Sequence, residues 1–369
     1  MRARYRFPLL ALGMLAMLVG LWIGLIRLGW PLPWFNDFQG PLAHGPLMIP
    51  GFLGTLIGLE RAVALMVHRQ SWGYVVPLLA GLGSVALVAG LPMTGAILMT
   101  LGSLGLVAVY AFLVRRQPTQ FMTTEGLGAL ALLMGNVVWL LGHPVYQAVP
   151  WWMTFLVLTI VGERLELTRM RRLDATARRT FLGALVLTLA GTALTLVRFD
   201  LGVRAFGAGL MGLALWLGVY DVVARTIRQG GVARFSAVCL ASGFVWLAVG
   251  GTLAIVAGGV PARPLYDAWL HAVFLGFVFS MIFGHAPIIF PAVLRVRMAY
   301  SRTFYAHWAV LHLSLIWRLL GDLMSYGPGR EWGGGINALA ILLFLVNTGW
   351  SIRVGQRQTR TGAQASRGR

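Results

Sequence analysis

The sequence contains no lysine and few charged residues of either sign. Charged residues make up 11% of the 369 residues, and hydrophobic residues make up 58%. This composition excludes a soluble globular domain, in which about 25% of the residues are charged. The chain also has a single cysteine, Cys239, in an apolar segment. An internal disulfide is therefore excluded, as is a zinc or iron–sulfur site built from several cysteines.

What the chain has instead is a succession of long apolar segments, with a mean hydropathy of +0.77. Each segment is about 20 residues or longer, which is enough to cross about 30 Å of hydrocarbon. The pattern predicts an all-α polytopic membrane protein with twelve transmembrane helices. The predicted spans are roughly 8–30, 41–66, 73–91, 94–114, 122–142, 147–167, 180–197, 202–227, 235–258, 265–294, 301–324 and 334–354.

The arginines predict how these spans are oriented. If the N-terminus is cytoplasmic, 24 of the 30 arginines fall in cytoplasmic segments or inner helix ends. Such a bias is typical of membrane topology, and it explains the net charge of +19 better than a nucleic-acid-binding face does. We therefore expect both termini in the cytoplasm and the chain in the cell inner membrane, with no nucleic-acid partner. Residues 1–354 would form one integral membrane domain, and 355–369 a basic cytoplasmic tail.

Spans two, six and ten resemble one another at their inner ends, which read "TLIGLER", "LTIVGER" and "SMIFGHA". When Gly58, Gly162 and Gly284 are aligned, His44 lies 14 residues before its glycine and His271 lies 13 before its own. Span six, the second of the three similar segments, has no histidine at the equivalent position. The similarity predicts a pseudo-threefold arrangement of four-helix units, with boundaries near 1–114, 115–227 and 228–354.

His44 and His271 are the candidate cofactor ligands. A titratable side chain inside a bilayer is costly unless it is paired or used. At 1.5 Å per residue, His44 lies ~5 Å and His271 ~9 Å from the outer ends of their spans. Two imidazoles at similar depth on different helices suit the axial ligation of haem iron, and Asp267 would accept the second ring N–H of His271. The alternative is that both histidines bond backbone carbonyls near helix ends, and His143 and His312 remain alternative ligands.

Two outer arginines, Arg318 and Arg330, are the candidate partners of haem propionates. Arg318 also lies four residues before Asp322 on the same helix face, which predicts an ion pair between them. No C-x-x-C-H motif occurs, so any haem would be bound non-covalently, as haem b is.

A second group of titratable residues lies near the predicted inner ends of the spans. It favours a structural ion-pair network or a route for proton uptake. A metal site is the alternative, although no closely spaced histidine pattern supports one. The metal candidates are His285, His307, Glu60 and Glu163; Arg61 and Arg164 adjoin the two glutamates.

The segments "HGPLMIPGFLGTLIGLERA" and "HAVFLGFVFSMIFGHAP" resemble the histidine-initiated helices of the NnrS family, twelve-span bacterial haem proteins associated with nitric oxide. The topology also resembles the catalytic subunit of haem-copper oxidases, in which histidines of the second and tenth spans hold a haem near the outer face. The resemblance implies that His44 and His271 are axial ligands, with nitric oxide or electron handling near the periplasmic face. Spans six and seven lack the histidines of the oxidase copper site, so no copper is expected.

Two further functions remain open. Twelve spans with both termini inside are also a common plan of secondary transporters, although two matching halves of six are not apparent. An accessory protein for the assembly of a respiratory complex is the other alternative. The expected partners are membrane lipid and a redox partner or small gas ligand; the sequence predicts neither catalytic residues nor an oligomeric state.

Overall fold

Helices account for nearly all of the chain. The computed structural model describes residues 6–33, 40–168, 173–261 and 263–367. It is 86% helical, and the described residues include no strand. The long helices in these ranges are α1 (Arg6–Arg27), α2 (His44–His68), α3 (Trp72–Val88), α4 (Pro92–Arg116), α5 (Gln120–Leu140), α6 (Val145–Thr168), α7 (Ala175–Leu194), α8 (Phe199–Tyr220), α9 (Gly231–Ala257), α10 (Pro264–Leu294), α11 (Phe304–Leu323) and α12 (Gly327–Arg367).

Every predicted span overlaps one of these helices, so the all-helical fold class is confirmed. Within the described ranges, nine helices are long and apolar enough to cross a membrane; α3, α7 and α11 are not among the nine. The count of twelve crossings and the orientation of the termini stay predictions. Helix α12 continues through residue 354, so the predicted tail begins as helix, while its last two residues, 368–369, lie outside the described ranges.

Helix α6 lies at the centre of the bundle. Every residue from Trp152 to Gly162 is buried, because this segment is apolar on all sides and meets other helices all round. Large apolar side chains on the peripheral helices are exposed instead, among them Leu15, Leu104 and Leu215. An apolar outer surface around an apolar interior is what a hydrocarbon environment permits.

Polar side chains tie some helices together inside the bundle. Asn136 on α5 donates Nδ2 to the Met99 carbonyl oxygen of α4 at 3.1 Å and accepts at Oδ1 from Trp152 Nε1 of α6 at 2.8 Å. A buried amide whose donor and acceptor are both used fixes the relative position of three helices. This contact lies between the two polar regions described next.

Candidate cofactor site

A cavity of about 820 Å³ opens at one end of the bundle. The C-terminal ends of α1, α5 and α11 meet there with the N-terminal ends of α2, α6, α10 and α12. Its walls are mainly apolar, and side chains such as Leu25, Met48, Val149, Phe274 and Ile341 line it. Cavities of about 300–1000 Å³ with apolar walls and a few polar groups are typical of small-molecule and cofactor sites.

His44 lines this cavity from the first turn of α2. Its Nδ1 lies 2.8 Å from the Gly20 carbonyl oxygen of α1. The imidazole packs against Gly24 of α1, where a Cβ atom would lie 2.9 Å from ring atoms. Because a carbonyl oxygen only accepts, Nδ1 carries the proton and Nε2 carries the lone pair.

His271 lines the same cavity from α10. Its Nδ1 lies 2.9 Å from the Asp267 carbonyl oxygen and 3.3 Å from Asp267 Oδ2. On the other side of the ring, Nε2 lies 3.1 Å from Arg318 Nη2, which is a donor. His271 is therefore in the same tautomer as His44, with its lone pair on Nε2. Asp267 thus contacts the Nδ1–H of His271 with its backbone oxygen at 2.9 Å and with its carboxylate at 3.3 Å.

The arginines pair differently from what the sequence predicts. Arg318 donates Nε and Nη2 to Asp267 Oδ2, at 3.1 and 2.8 Å, across to α10. The predicted ion pair between Arg318 and Asp322 is wrong: within the described chain, the ion-pair partner of Arg318 is Asp267, and neither carboxylate oxygen of the buried Asp322 accepts a hydrogen bond. Asp322 Oδ1 instead lies 3.6 Å from Nε of Arg330, whose side chain is 41% exposed. Arg318 and Arg330 both line the cavity, and so do Arg27 and Arg263.

Both histidine-bearing helices contain a wide π-helical segment next to the histidine. It covers Leu47–Leu53 in α2 and Ala272–Phe279 in α10. Phe52 of one segment packs on Phe279 of the other, with ring centroids 6.4 Å apart. Short π segments often occur at functional sites. Pro50 accounts for the one in α2, because proline lacks the N–H that a regular turn needs. No proline lies in the segment of α10.

The other histidines lie in different surroundings. His143 lines the cavity at the end of α5, so it stays an alternative ligand. His312 lies outside the cavity lining: its Nδ1 accepts from Trp246 Nε1 at 2.7 Å, and its Nε2 lies 3.4 Å from Ser280 Oγ. Both nitrogens of His312 are thus engaged within the protein.

The inner group divides into separate contacts. Arg61 bonds Glu60 and Glu163, whereas Arg164 forms a buried bidentate pair with Asp221 at 2.8 and 2.9 Å. His307 lies among aromatic rings; the nearest, that of Phe283, is 4.7 Å away between centroids. The His285 Nδ1 lies 2.9 Å from the Met281 carbonyl oxygen. In the part of the chain that the structure describes, no three His, Cys, Asp or Glu side chains are placed to hold a metal ion, so the alternative metal site has no structural support.

Sequence reasoning missed several residues that belong to these regions, among them Arg27 and Glu125. Arg27, the last residue of α1, lines the cavity. It could have been identified from the sequence, because it is one of the few arginines on the predicted outer side. Glu125 of α5 joins the Arg61 group through a 3.1 Å contact. Glu125 could also have been identified from the sequence, because a carboxylate inside a predicted span is a functional candidate by default.

Fold and site together define an all-helical protein with membrane-length helices and an arginine- and histidine-lined cavity at one end. Residues 6–353 match the family described as a domain of unknown function, DUF8744. The match covers nearly the whole chain, so the protein belongs to that family. Comparison with curated proteins gives no match.

Proposed function

We propose that this is a twelve-span inner-membrane protein that binds haem b in the cavity and handles electrons or nitric oxide near the periplasmic face. His44 and His271 are the axial ligands in this proposal. The observation that carries it is that two histidines from distant parts of the sequence line one cavity, each with its Nδ1–H directed at a backbone carbonyl oxygen. Histidines that ligate a metal through Nε2 characteristically donate Nδ1–H in this way.

The residues of the cavity fit the chemistry of haem. The apolar side chains suit the porphyrin faces, and the volume of about 820 Å³ is that of a cofactor site. Arg263, Arg318 and Arg330, against the Asp267 carboxylate, give the described lining groups that suit propionates. Arg318 Nη2 contacts both Asp267 Oδ2 and His271 Nε2, so ligation by His271 would require this nitrogen to give up its contact with the ring. Bound haem would supply an iron that exchanges an electron or binds a small gas.

The first test is spectroscopic. The protein is expressed with sufficient haem, purified in detergent, and examined by reduced-minus-oxidised spectra and a pyridine haemochrome assay. We expect a sharp α-band and about one haem per chain, as bis-histidine ligation implies. His44→Ala should abolish that spectrum, and His68→Ala, at the opposite end of the same helix, should leave it intact. A purified wild-type protein without Soret absorbance would overturn the proposal and favour transport of a small solute.

The predicted topology has its own test. Gly327, the first residue of α12, and Gly230, just before α9, both have open space where a side chain would lie. We introduce Gly327→Cys and Gly230→Cys separately, in a chain whose native Cys239 is buried. A membrane-impermeant thiol reagent should label the first variant in intact spheroplasts and the second only after permeabilisation. The reverse labelling, or labelling of both variants without permeabilisation, would contradict the topology.

A further inference from the structure

Several carboxylates contact Arg61 inside the bundle, remote from the cavity. We name the side chains of Arg61, Glu60, Glu125 and Glu163 the inner cluster. Arg61 Nη2 lies 2.8 Å from Glu60 Oε1 and 3.0 Å from Glu163 Oε1, and Nη1 lies 3.1 Å from Glu125 Oε2. Helices α2, α5 and α6 thus converge on a single guanidinium.

The charges of the inner cluster do not balance. Three carboxylates face one guanidinium, which leaves two negative charges if every glutamate is ionised. Arg164, which also acts on Glu163, is held by Asp221, and the neighbouring Glu166 adds further negative charge. His285 faces Glu60 from α10. An uncompensated charge in a low-dielectric interior costs several kcal/mol, so a proton or a cation must neutralise part of this group.

Glu125 is the least exposed of the three glutamates. Its side chain is 1% exposed, against 20% for Glu163 and 25% for Glu60. Its contact with Arg61 is the longest of the three, and its Oε1 has no hydrogen-bond partner within the described ranges. Gly162 of α6 leaves the room that the Glu125 side chain occupies.

A buried tyrosine completes the arrangement. Tyr110 of α4 is 1% exposed, and its hydroxyl is near enough to Glu125 and Arg61 to interact with both electrostatically. That hydroxyl likewise has no hydrogen-bond partner in the part of the chain described by the structure. A carboxylic acid and a phenol side by side can exchange a hydrogen bond, because each has both a donor and an acceptor.

We infer that the inner cluster is a proton-binding site, with the proton held on Glu125 and hydrogen-bonded to Tyr110. This site is independent of haem and goes beyond the proposed function. It lies ~25 Å along α2 from His44, at 1.5 Å per residue. Binding a proton there removes one of the two excess negative charges. It also makes the unpartnered oxygen, Glu125 Oε1, a hydrogen-bond donor.

Infrared spectroscopy of the full-length protein tests the inference directly. Near neutral pH we expect the carbonyl stretch of a protonated carboxylic acid, which shifts in D₂O. Glu125→Gln keeps the shape of the side chain but cannot ionise, and it should remove this band. The matched control is Glu166→Gln, on the exposed side of α6, which should leave the band unchanged.

A second variant keeps the inference testable if Glu125→Gln does not fold. Tyr110→Phe should retain the band but shift its wavenumber, because the acid O–H on Oε1 loses its acceptor while Oε2 still accepts from Arg61. A band that is absent from the wild type, that survives Glu125→Gln or that does not move in Tyr110→Phe would overturn the assignment. Absence of the band together with a higher melting temperature in sodium chloride than in choline chloride would show that the inner cluster holds a metal cation instead.

Discussion

The cavity and the inner cluster lie toward the two ends of α2 and differ in the charged side chains that they gather. The cavity has more arginines than carboxylates among its described lining residues, Arg263, Arg318 and Arg330 against Asp267. The inner cluster has three carboxylates on one arginine. A space rich in arginine suits a bulky anionic group, whereas a group rich in carboxylates suits a proton. We therefore propose different chemistry for the two parts of this one helix.

Removing the central cation of the inner cluster should have the largest effect. In Arg61→Gln the buried carboxylates lose their partner, and we expect the free energy of unfolding to fall by about 3–5 kcal/mol. Denaturant unfolding in detergent, followed by tryptophan fluorescence, measures this change. Arg69→Gln, at an exposed position just past the end of the same helix, is the control. Equal stability of the two variants would mean that the inner cluster is solvated.

The next effect should appear in the cavity. Gly24→Ala places a methyl group 2.9 Å from the His44 ring, in space that the imidazole occupies. Overpacking of this kind costs about 1–3 kcal/mol, so haem affinity should fall by about 5- to 150-fold if binding bears that cost. Haem transfer to apomyoglobin reports the affinity. Gly183→Ala, whose Cβ would meet open space, should bind haem like the wild type. Unchanged affinity in Gly24→Ala would remove His44 from the ligand set.

Losing the hydrogen bond that lies between the cavity and the inner cluster should have a smaller effect on the free energy of unfolding. Trp152→Phe deletes the 2.8 Å hydrogen bond to Asn136 Oδ1, and such interhelical bonds contribute about 0.6–1.7 kcal/mol in membranes. The unfolding measurement should show a loss of that size. The haem spectrum and the carboxylic-acid band should both be unchanged. If either one changes, the two regions are coupled through α6 and are not independent.

The smallest effect should come from the rim of the cavity. Arg330 is 41% exposed, so its contribution to binding an anionic group is screened by water. In Arg330→Gln we expect haem affinity to fall by less than about fivefold, equivalent to at most about 1 kcal/mol. Added salt should shrink that difference further. A loss as large as that of Gly24→Ala would mean that haem binding orders Arg330 out of water.

Much of the fold could be predicted from the sequence, because apolar length is a signal that each segment carries by itself. The lining of the cavity was also partly predictable: His44, His271, Asp267, Arg318 and Arg330 all lie there. The hydrogen-bond and ion-pair partners of these side chains could not be predicted. The i, i+4 spacing predicted a bond between Arg318 and Asp322, but that rule describes one helix, and the actual acceptor lies across the interface on α10.

Two other features show where the sequence signal ends. Glu125 carried a signal, as a carboxylate inside a predicted span, but its place beside Arg61 depends on how α5 packs against α2 and α6. The wide turn in α2 had Pro50 as its signal. The wide turn in α10 had none, because it contains only apolar side chains and glycine, so it must arise from packing between helices.

The π segment of α2 sets the rotational phase between the two ends of that helix. One residue deleted from Leu47–Leu53 would restore regular winding and leave His44 at nearly its present angle to Arg61, because the wide turn holds one residue more than a regular turn. The same deletion in the regular part of α2, between Gly54 and Arg61, would instead turn His44 by about 100° relative to Arg61. Helix α10 has an equivalent element beside His271, whereas the central α6, with no histidine at that level, is regular throughout. Each wide segment thus absorbs one extra residue between the imidazole and the inner half of its helix, which the regular α6 does not do.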